Sequence, residues 1–187
     1  MPATQRKPPR KVTQASLERA ALAYLERFAA STESLRRILH RKIERSARAH
    51  DIDRTEAAGW VEALIERYVR SGLLDDRAYA EARTASLRRQ GRSVRAIANR
   101  LTQKGVGRET IEEALAPTRT EQDELDAAAK LARRRRIGPF RPETERRENR
   151  ERDLATLGRA GFAFEIARKV ICAESSEALD ALLAERG

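Results

Sequence analysis

Helix stop signals and helix start signals stand side by side in the middle of this chain, in the stretch SGLLDDRAYAEA. Gly72 suits the left-handed residue that follows a helix, and Leu73 or Leu74 is expected to fold back onto the last helical turn. Asp75 is placed to cap the next helix, and Asp76 adds negative charge to its first turn, which the helix dipole favours. Helix-ending and helix-capping residues at such close spacing constrain the chain to short helices joined by tight turns.

Further helix-ending and helix-capping residues occur along residues 75–117, which we predict to form a three-helix unit. Gly91 ends its first helix, Ser93 caps the second, Gly105 ends the second and Pro117 ends the third. The apolar residues recur at helical spacing. Those expected to face the interior are Ala78, Tyr79, Ala82 and Ala85 of the first helix, Val94, Ile97, Ala98 and Leu101 of the second, and Ile111, Ala114 and Leu115 of the third.

Looser copies of this unit precede and follow it. Leu157 is followed four residues later by Gly161, as Leu101 is by Gly105, and the helix after each glycine has matching apolar positions. The pair Leu35–Leu39 gives the first copy the same helical spacing. We therefore predict an all-α fold of three tandem, degenerate three-helix repeats in an elongated, curved arrangement.

The predicted boundaries follow from these copies and from the composition of the N-terminal segment. Residues 1–14 contain the run RKPPRK and are predicted to be a flexible basic arm. The first repeat is placed at residues 15–74, the second and best-matching repeat at 75–117, and the third, with a charged insert, at 118–187.

The overall composition agrees with helices and indicates a polyanionic partner. Apolar residues make up 40% of the 187 residues but aromatic residues only 4%, so the core must be built from Leu, Ala, Ile and Val. Charged residues reach 36%, which suits thin helices that each bury one stripe. The net charge of +10 favours nucleic acid or an acidic protein surface as the partner.

Basic residues are concentrated in residues 83–108, which contain no acidic residue. The candidate binding residues are Arg88, Arg89, Arg92, Arg95, Arg100, Lys104 and Arg108. Arginines that flank a turn favour contact with a nucleic-acid backbone over reading of bases. Five aromatic residues with rings suited to stacking on bases are predicted to lie on core stripes instead, namely Tyr24, Phe28, Trp60, Tyr68 and Tyr79. In a second interpretation, the arginines only cover alanine-rich helices and pair with Glu109, Glu112 and Glu113.

Several kinds of site have no support in the sequence. Cys172 is the only cysteine, so there is no intrachain disulfide, and its apolar surroundings predict a buried structural thiol. His40 and His50 lack the i, i+4 spacing of a helical zinc pair. No phosphate-binding glycine loop, transmembrane-length apolar run or signal-peptide core occurs. We therefore expect a cytoplasmic, non-enzymatic protein with no metal, cofactor or membrane association.

The stretch SGLLDDRAYAEARTASLRRQGRSVRAIANRLTQKGV resembles the signature of the RecX family, regulators of the RecA recombinase. The residues that carry the resemblance are Gly72, Leu74, Asp75, Asp76, Tyr79, Gly91, Ile97, Leu101 and Gly105. SLRRIL near the start and LGRAGF in the third unit fall in the order that the family's tandem repeats imply. The resemblance implies a non-enzymatic protein that lies along the groove of a RecA filament on single-stranded DNA. There it would restrain the ATPase, strand-exchange and coprotease activities of the filament, and we expect it to act as a monomer.

The residues alone do not exclude two other classes of function. A stand-alone basic helical module would bind naked DNA or RNA tightly, whereas a filament regulator would bind far better to DNA coated with recombinase. A helical scaffold for another protein would lose little when the middle arginines are neutralised.

Overall fold

The structure, a computed structural model, describes residues 10–184, and these residues form ten α-helices, two short 3₁₀ helices and no β-strand. This confirms the predicted all-α fold. The α-helices are α1 (Gln14–Leu25), α2 (Thr32–Ala47), α3 (Arg54–Arg70), α4 (Asp76–Arg89), α5 (Val94–Gln103), α6 (Arg108–Leu115), α7 (Glu121–Arg135), α8 (Glu143–Arg159), α9 (Phe164–Ile171) and α10 (Ser176–Ala184). The 3₁₀ helices are Ala116–Thr118 and Gly138–Phe140. Three repeats of three helices would comprise nine helices, whereas the described residues form ten, and α10 is not among the predicted helices.

The chain divides into two compact units. The first unit takes the described residues up to Tyr79 together with Lys104–Val106. The second unit takes Ala80–Gln103 and the described residues from Gly107 onward. The three-repeat boundaries and the elongated, curved arrangement stay predictions. No helix within residues 10–184 has both the length and the apolar character needed to cross a membrane.

The core of the first unit is built from one apolar stripe on each of α1, α2 and α3. Its buried residues include Leu17, Ala21, Leu35, Leu39, Ile43, Ala57, Val61, Leu64, Ile65, Tyr68 and Leu74. Phe28 was predicted to lie on the α1 stripe, but α1 ends at Leu25 and Phe28 is 56% exposed, in contact with the ring of Tyr24. The predicted core position of Phe28 is therefore wrong.

The predicted flexible arm lies largely in residues 1–9, outside the described residues. Within residues 10–14, Val12 is buried against the first core, and its N–H donates to Oγ of Ser46 at 2.9 Å. The chain is therefore already anchored at Val12, two residues before α1 begins.

The second unit has its own core, formed by α7, α8, α9 and α10. Its buried residues include Leu125, Leu131, Ile137, Leu157, Phe162, Val170 and Leu179. The predicted charged insert contributes the end of α7, the 3₁₀ helix Gly138–Phe140 and the first turns of α8. Its Arg146 donates to the backbone carbonyls of Pro139, Arg141 and Glu174, so this part of the insert is fastened to the fold.

Two further predictions about buried residues are wrong, one in α4 and one just after α9. Ala82 and Ala85 of α4 are exposed, as is Ala78, whereas the buried side chains are Ala80, Thr84 and Leu87. The alanines of α4 occur on more than one face, and Leu87, the large aliphatic residue of this helix, determines which face is buried. Cys172 is exposed because α9 ends at Ile171, and the Nε of Arg150 donates to its Sγ at 3.2 Å.

Candidate nucleic-acid interface

The turn at Gly72 has the conformation that the sequence predicts. Gly72 has a φ of +72°, and the N–H of Leu74 donates to the carbonyl of Tyr68 at 3.1 Å. Leu74 is buried and Leu73 is 47% exposed, so Leu74 is the residue that folds back. Gly72 therefore reverses the chain between α3 and α4 without a buried polar loop.

Asp75 and Asp76 fix the start of α4. Oδ1 of Asp75 accepts from the N–H of Ala78 at 2.9 Å, which confirms the predicted cap. Oδ1 of Asp76 accepts from the N–H of Thr32 at 2.7 Å, so this carboxylate also caps the first turn of α2. The second contact spans 44 residues of sequence and could not be predicted from local patterns.

Ser93 fixes the start of α5 after the turn at Gly91. Gly91 has a φ of +72°, and the N–H of Arg92 donates to the carbonyl of Leu87 at 3.1 Å, as in a Schellman turn. Oγ of Ser93 accepts from the N–H of Ala96 at 3.2 Å and donates to the carbonyl of Ala160 at 2.7 Å. Ser93 therefore both caps α5 and holds it against the end of α8.

The buried stripe of α5 is the one predicted. Ile97 and Leu101 are fully buried, while Val94 and Ala98 are half-buried. Arg95 and Arg100 consequently lie on the exposed side of the helix, because neither shares the stripe.

Three of the seven candidate binding residues are engaged inside the protein or lie apart from the others. Arg88 has a side chain only 11% exposed; it forms an ion pair with Glu124 at 2.6 Å and donates to the carbonyls of Arg92 and Thr118. Arg108 pairs with Glu112 on α6. Lys104 belongs to the first unit, where its carbonyl accepts from the hydroxyls of Ser31 and Ser34.

The other four candidates are Arg89, Arg92, Arg95 and Arg100, and all are exposed. Their side chains make no ion pair or hydrogen bond with any residue in the described part of the chain. The interpretation that the arginines only pair with nearby glutamates therefore fits Arg108 but not these four.

Two shallow depressions on the second unit bring most of these arginines together. Arg92 and Arg100 line the first depression with Arg83, Leu87, Gln90 and Ala96. Arg95 lines the second with Ala96, Asn99, Arg159 and the turn Gly158–Gly161. Among the described residues, neither lining contains a carboxylate. We call the five lining arginines, Arg83, Arg92, Arg95, Arg100 and Arg159, the arginine face; Arg89 lines neither depression.

Sequence reasoning missed Arg83 and Arg159 as members of this face. Arg83 stands at the edge of the acid-free segment, and that position was the available signal. Arg159 lies 64 residues from Arg95, and long-range contacts such as that between Ser93 and Ala160 place it beside α5.

The arginine run at the end of α7 is used differently. Arg133 pairs with Asp180 at 2.6 Å and stacks over the ring of Phe140, and Arg134 donates to the carbonyl of Gln90. These arginines therefore hold α10, the 3₁₀ helix and the turn after α4 in place. No group of metal-ligating side chains occurs among the residues that the structure describes.

Comparison with known proteins gives one consistent family. The family model described as RecX, second three-helix domain, matches residues 75–115. The chain is 51% identical over 166 residues to the regulatory protein RecX of Myxococcus xanthus, across 88% of this chain and 89% of that protein. It is 40% identical over 109 residues to RecX of Agrobacterium fabrum, across 58% of this chain and 57% of that protein. The crystal structure of RecX from Lactobacillus salivarius shares the fold, with a TM-score of 0.61 and 20% identity over 90% of this chain and 97% of that one.

Proposed function

Because the chain belongs to the RecX family of regulatory proteins, we propose that it regulates the RecA recombinase without chemistry of its own. In this proposal the protein binds as a monomer in the cytoplasm, in the groove of the RecA filament on single-stranded DNA. Its binding modulates the ATPase, strand-exchange and coprotease activities of the filament.

The observation that carries the proposal is the arginine face. It lies on the segment that matches the family model, with Arg159 added from α8. Apart from a hydrogen bond from Arg159 to Oγ1 of Thr156, these guanidinium groups make no ion pair or side-chain hydrogen bond with the described residues, so most of their donors are available for an external anion. Phosphate oxygens suit them best, because the planar fork of arginine binds phosphate through two parallel hydrogen bonds.

The composition of the two depressions explains why binding would not depend on base sequence. Neither lining contains an aromatic ring on which a base could stack, and both are shallow. Contacts to the sugar-phosphate backbone position a protein on DNA but do not read its sequence. A regulator that must act anywhere along a filament needs this kind of contact.

The experiment that tests the proposal compares partners. Binding of the labelled protein is measured to bare oligo(dT), to RecA without DNA, and to RecA filaments assembled on oligo(dT) with a non-hydrolysed ATP analogue. We expect clearly tighter binding to the filament than to either component. Tight binding to bare DNA that recombinase does not improve would instead identify a stand-alone nucleic-acid-binding module.

The salt dependence of filament binding adds a quantitative test. Each phosphate neutralised on a single strand contributes about −0.7 to the slope of log K against log salt concentration. Four phosphate contacts would give a slope of about −3. A slope near zero would contradict any phosphate-binding role of the arginine face.

A further inference from the structure

The two depressions lie side by side on the exposed face of α5 and share one residue, Ala96. The first is walled by α4 and α5, and the second by α5 and the last turn of α8. Ala96 and Arg100 are four residues apart, as are Arg95 and Asn99, so the two pairs form neighbouring rows one helical turn long. α5 is therefore a ridge between two cationic depressions, and it is lowest at Ala96, whose side chain is a single methyl group.

The second depression is held in shape by close packing. The hydrogen bond from Ser93 to the carbonyl of Ala160 fixes the end of α8 against α5. A Cβ on Gly161 would lie 2.6 Å from Oγ of Ser93 and 3.3 Å from Cβ of Arg95, so the turn packs against the start of α5 without space for a side chain at this position. Arg159 is thus kept at the depression that Arg95 lines, although the two residues are far apart in sequence.

We propose that a single sugar-phosphate strand crosses α5 at Ala96, with one phosphate in each depression. Arg92 and Arg100 hold the phosphate on the α4 side, and Arg95 and Arg159 hold the next phosphate on the α8 side. The path rests on the proposed function and specifies how the DNA strand of the filament meets this chain.

The geometry favours a nucleic-acid strand over an acidic protein segment. A ligand must place one anion on each side of a low ridge, and a sugar-phosphate chain carries one charge per nucleotide on a thin backbone. The amide groups of Gln90 and Asn99 add one possible donor to each lining. The bases can turn outward, because neither depression offers them a ring to stack on.

The test enlarges the side chain at the crossing point on α5 without changing the charge of the protein. In Ala96→Leu the larger side chain occupies the crossing point, and leucine is a good helix former, so α5 should stay folded. The matched control is Ala85→Leu, at an exposed position of α4 outside both depressions. Circular dichroism and thermal unfolding verify that both variants fold.

Binding is measured on bare oligo(dT) at low salt, and separately on filaments. We expect Ala96→Leu to weaken binding to oligo(dT) about tenfold and to make the salt slope shallower by about 0.7 for each phosphate lost. Ala85→Leu should bind like the wild type. We also expect Arg159→Ala to weaken binding as much as Arg95→Ala, and oligo(dT) and oligo(dA) to show equal sensitivity.

Three results would overturn the strand path. The first is wild-type affinity of Ala96→Leu and Arg159→Ala for oligo(dT), and the second is failure of the wild-type chain to bind oligo(dT) at low salt. The third is preference for polyglutamate over oligo(dT), with Ala96→Leu weakening the former, because the ligand would then be an acidic protein segment. In each case the proposed function is tested separately, and it stands if the wild-type chain still binds the filament more tightly than bare oligo(dT) or free RecA. Undiminished filament binding in an Arg92→Ala/Arg95→Ala double variant would contradict the arginine face and with it the strand path.

Discussion

Gly72 and Gly105 both have positive φ angles, +72° and +77°, but a side chain would meet different surroundings at the two positions. Among the described residues, and apart from its chain neighbours, no atom lies within 4 Å of a Cβ built on Gly72, whereas a Cβ on Gly105 would lie 2.4 Å from Cβ of Glu33. Gly72→Ala should therefore cost about 1 kcal/mol of unfolding free energy, from the backbone conformation alone. Gly105→Ala should cost more, because the stem of Glu33 must also move. Equal costs in chemical denaturation would contradict this account of the Gly105 turn.

The cap at Asp75 gives a second prediction at the scale of one residue. Asp75→Ala removes the acceptor of the Ala78 N–H and should lower the unfolding free energy by about 1 kcal/mol. Asp51→Ala is a suitable control, because Asp51 is exposed and lies outside any helix. The interpretation fails if the two variants have the same unfolding midpoint.

Individual residues also show where sequence reasoning reaches its limit. Gly72, Leu74 and Asp75 were predictable because their roles depend on neighbours within a few positions. Arg88 was grouped with the exposed arginines, yet it is held by Glu124, which is 36 residues away. No local pattern distinguishes an arginine that a distant carboxylate will bind from one that stays exposed.

At the scale of elements, a buried ion pair fastens α8 to the turn before it. Asp153 is 1% exposed and accepts from Nε of Arg141 at 2.8 Å and from the N–H of Gly138 at 2.9 Å. Burial by itself raises the pKa of Asp153, but the hydrogen bonds from Arg141 and Gly138 outweigh it and hold the pKa below its ordinary value. The ionised carboxylate is therefore the form that the folded protein binds.

The sign of the pH dependence follows from that lowered pKa. The contribution of Asp153 is fully present above the pKa of an unfolded aspartate, about 3.9, and is lost as the pH falls through the lower pKa of the folded protein. Asp153→Ala should cost about 3 kcal/mol at neutral pH, because Arg141 keeps only its longer ion pair with the exposed Glu145 and the N–H of Gly138 loses its acceptor. The wild-type and variant stabilities should begin to converge as the pH falls below about 4 and should meet only below the pKa of Asp153 in the folded protein.

The control for this prediction is an exposed pair in the same unit. Asp180 and Arg133 have side chains 54% and 60% exposed, so Asp180→Ala should cost about 1 kcal/mol or less. Urea unfolding of both variants between pH 3 and 7 makes the comparison. If Asp153→Ala lowers the unfolding free energy no more than Asp180→Ala does, the buried ion pair does not stabilise the packing of α8.

Elements with strong periodicity were predicted well, and elements with weak periodicity were not. The predicted buried stripe of α5 is confirmed, because large aliphatic residues recur at i, i+3 and i+7 among polar ones. The face of α4 was assigned wrongly because its alanines fit several faces. The exposure of Cys172 depended on α9 ending one residue earlier, a boundary that its apolar run does not reveal.

At the scale of the whole molecule, one contact occurs twice. In the first unit, Ser31 caps α2 and its hydroxyl donates to the carbonyl of Lys104, the residue before Gly105. In the second unit, Ser93 caps α5 and donates to the carbonyl of Ala160, the residue before Gly161. The two contacts have the register in which the sequence copies align, which supports the proposal of tandem repeats.

The two copies differ in charge at the second position after the capping serine. Glu33 occupies this position after Ser31, and Arg95 occupies it after Ser93. Glu33 pairs with Arg36 and Arg37, whereas Arg95 lines a depression without carboxylates. At this matching position the first unit carries an internally paired carboxylate, whereas the second carries an arginine of the arginine face.

The central claim is that the arginine face carries the regulation. The most direct measurement is the RecA ATPase rate on single-stranded DNA, titrated with the wild-type protein and with two double variants. The first is Arg92→Ala/Arg95→Ala. The second, Arg19→Ala/Arg27→Ala, is a control that loses the same charge at two exposed arginines of the first unit. We expect the double variant of the arginine face to need about tenfold more protein for the same effect, with unchanged helical content, while the control acts like the wild type. The corresponding lysine variant should lose less, because it keeps the charge but not the planar fork. If Arg92→Ala, Arg95→Ala restrains the ATPase at the wild-type concentration, the arginine face is only a solvated surface.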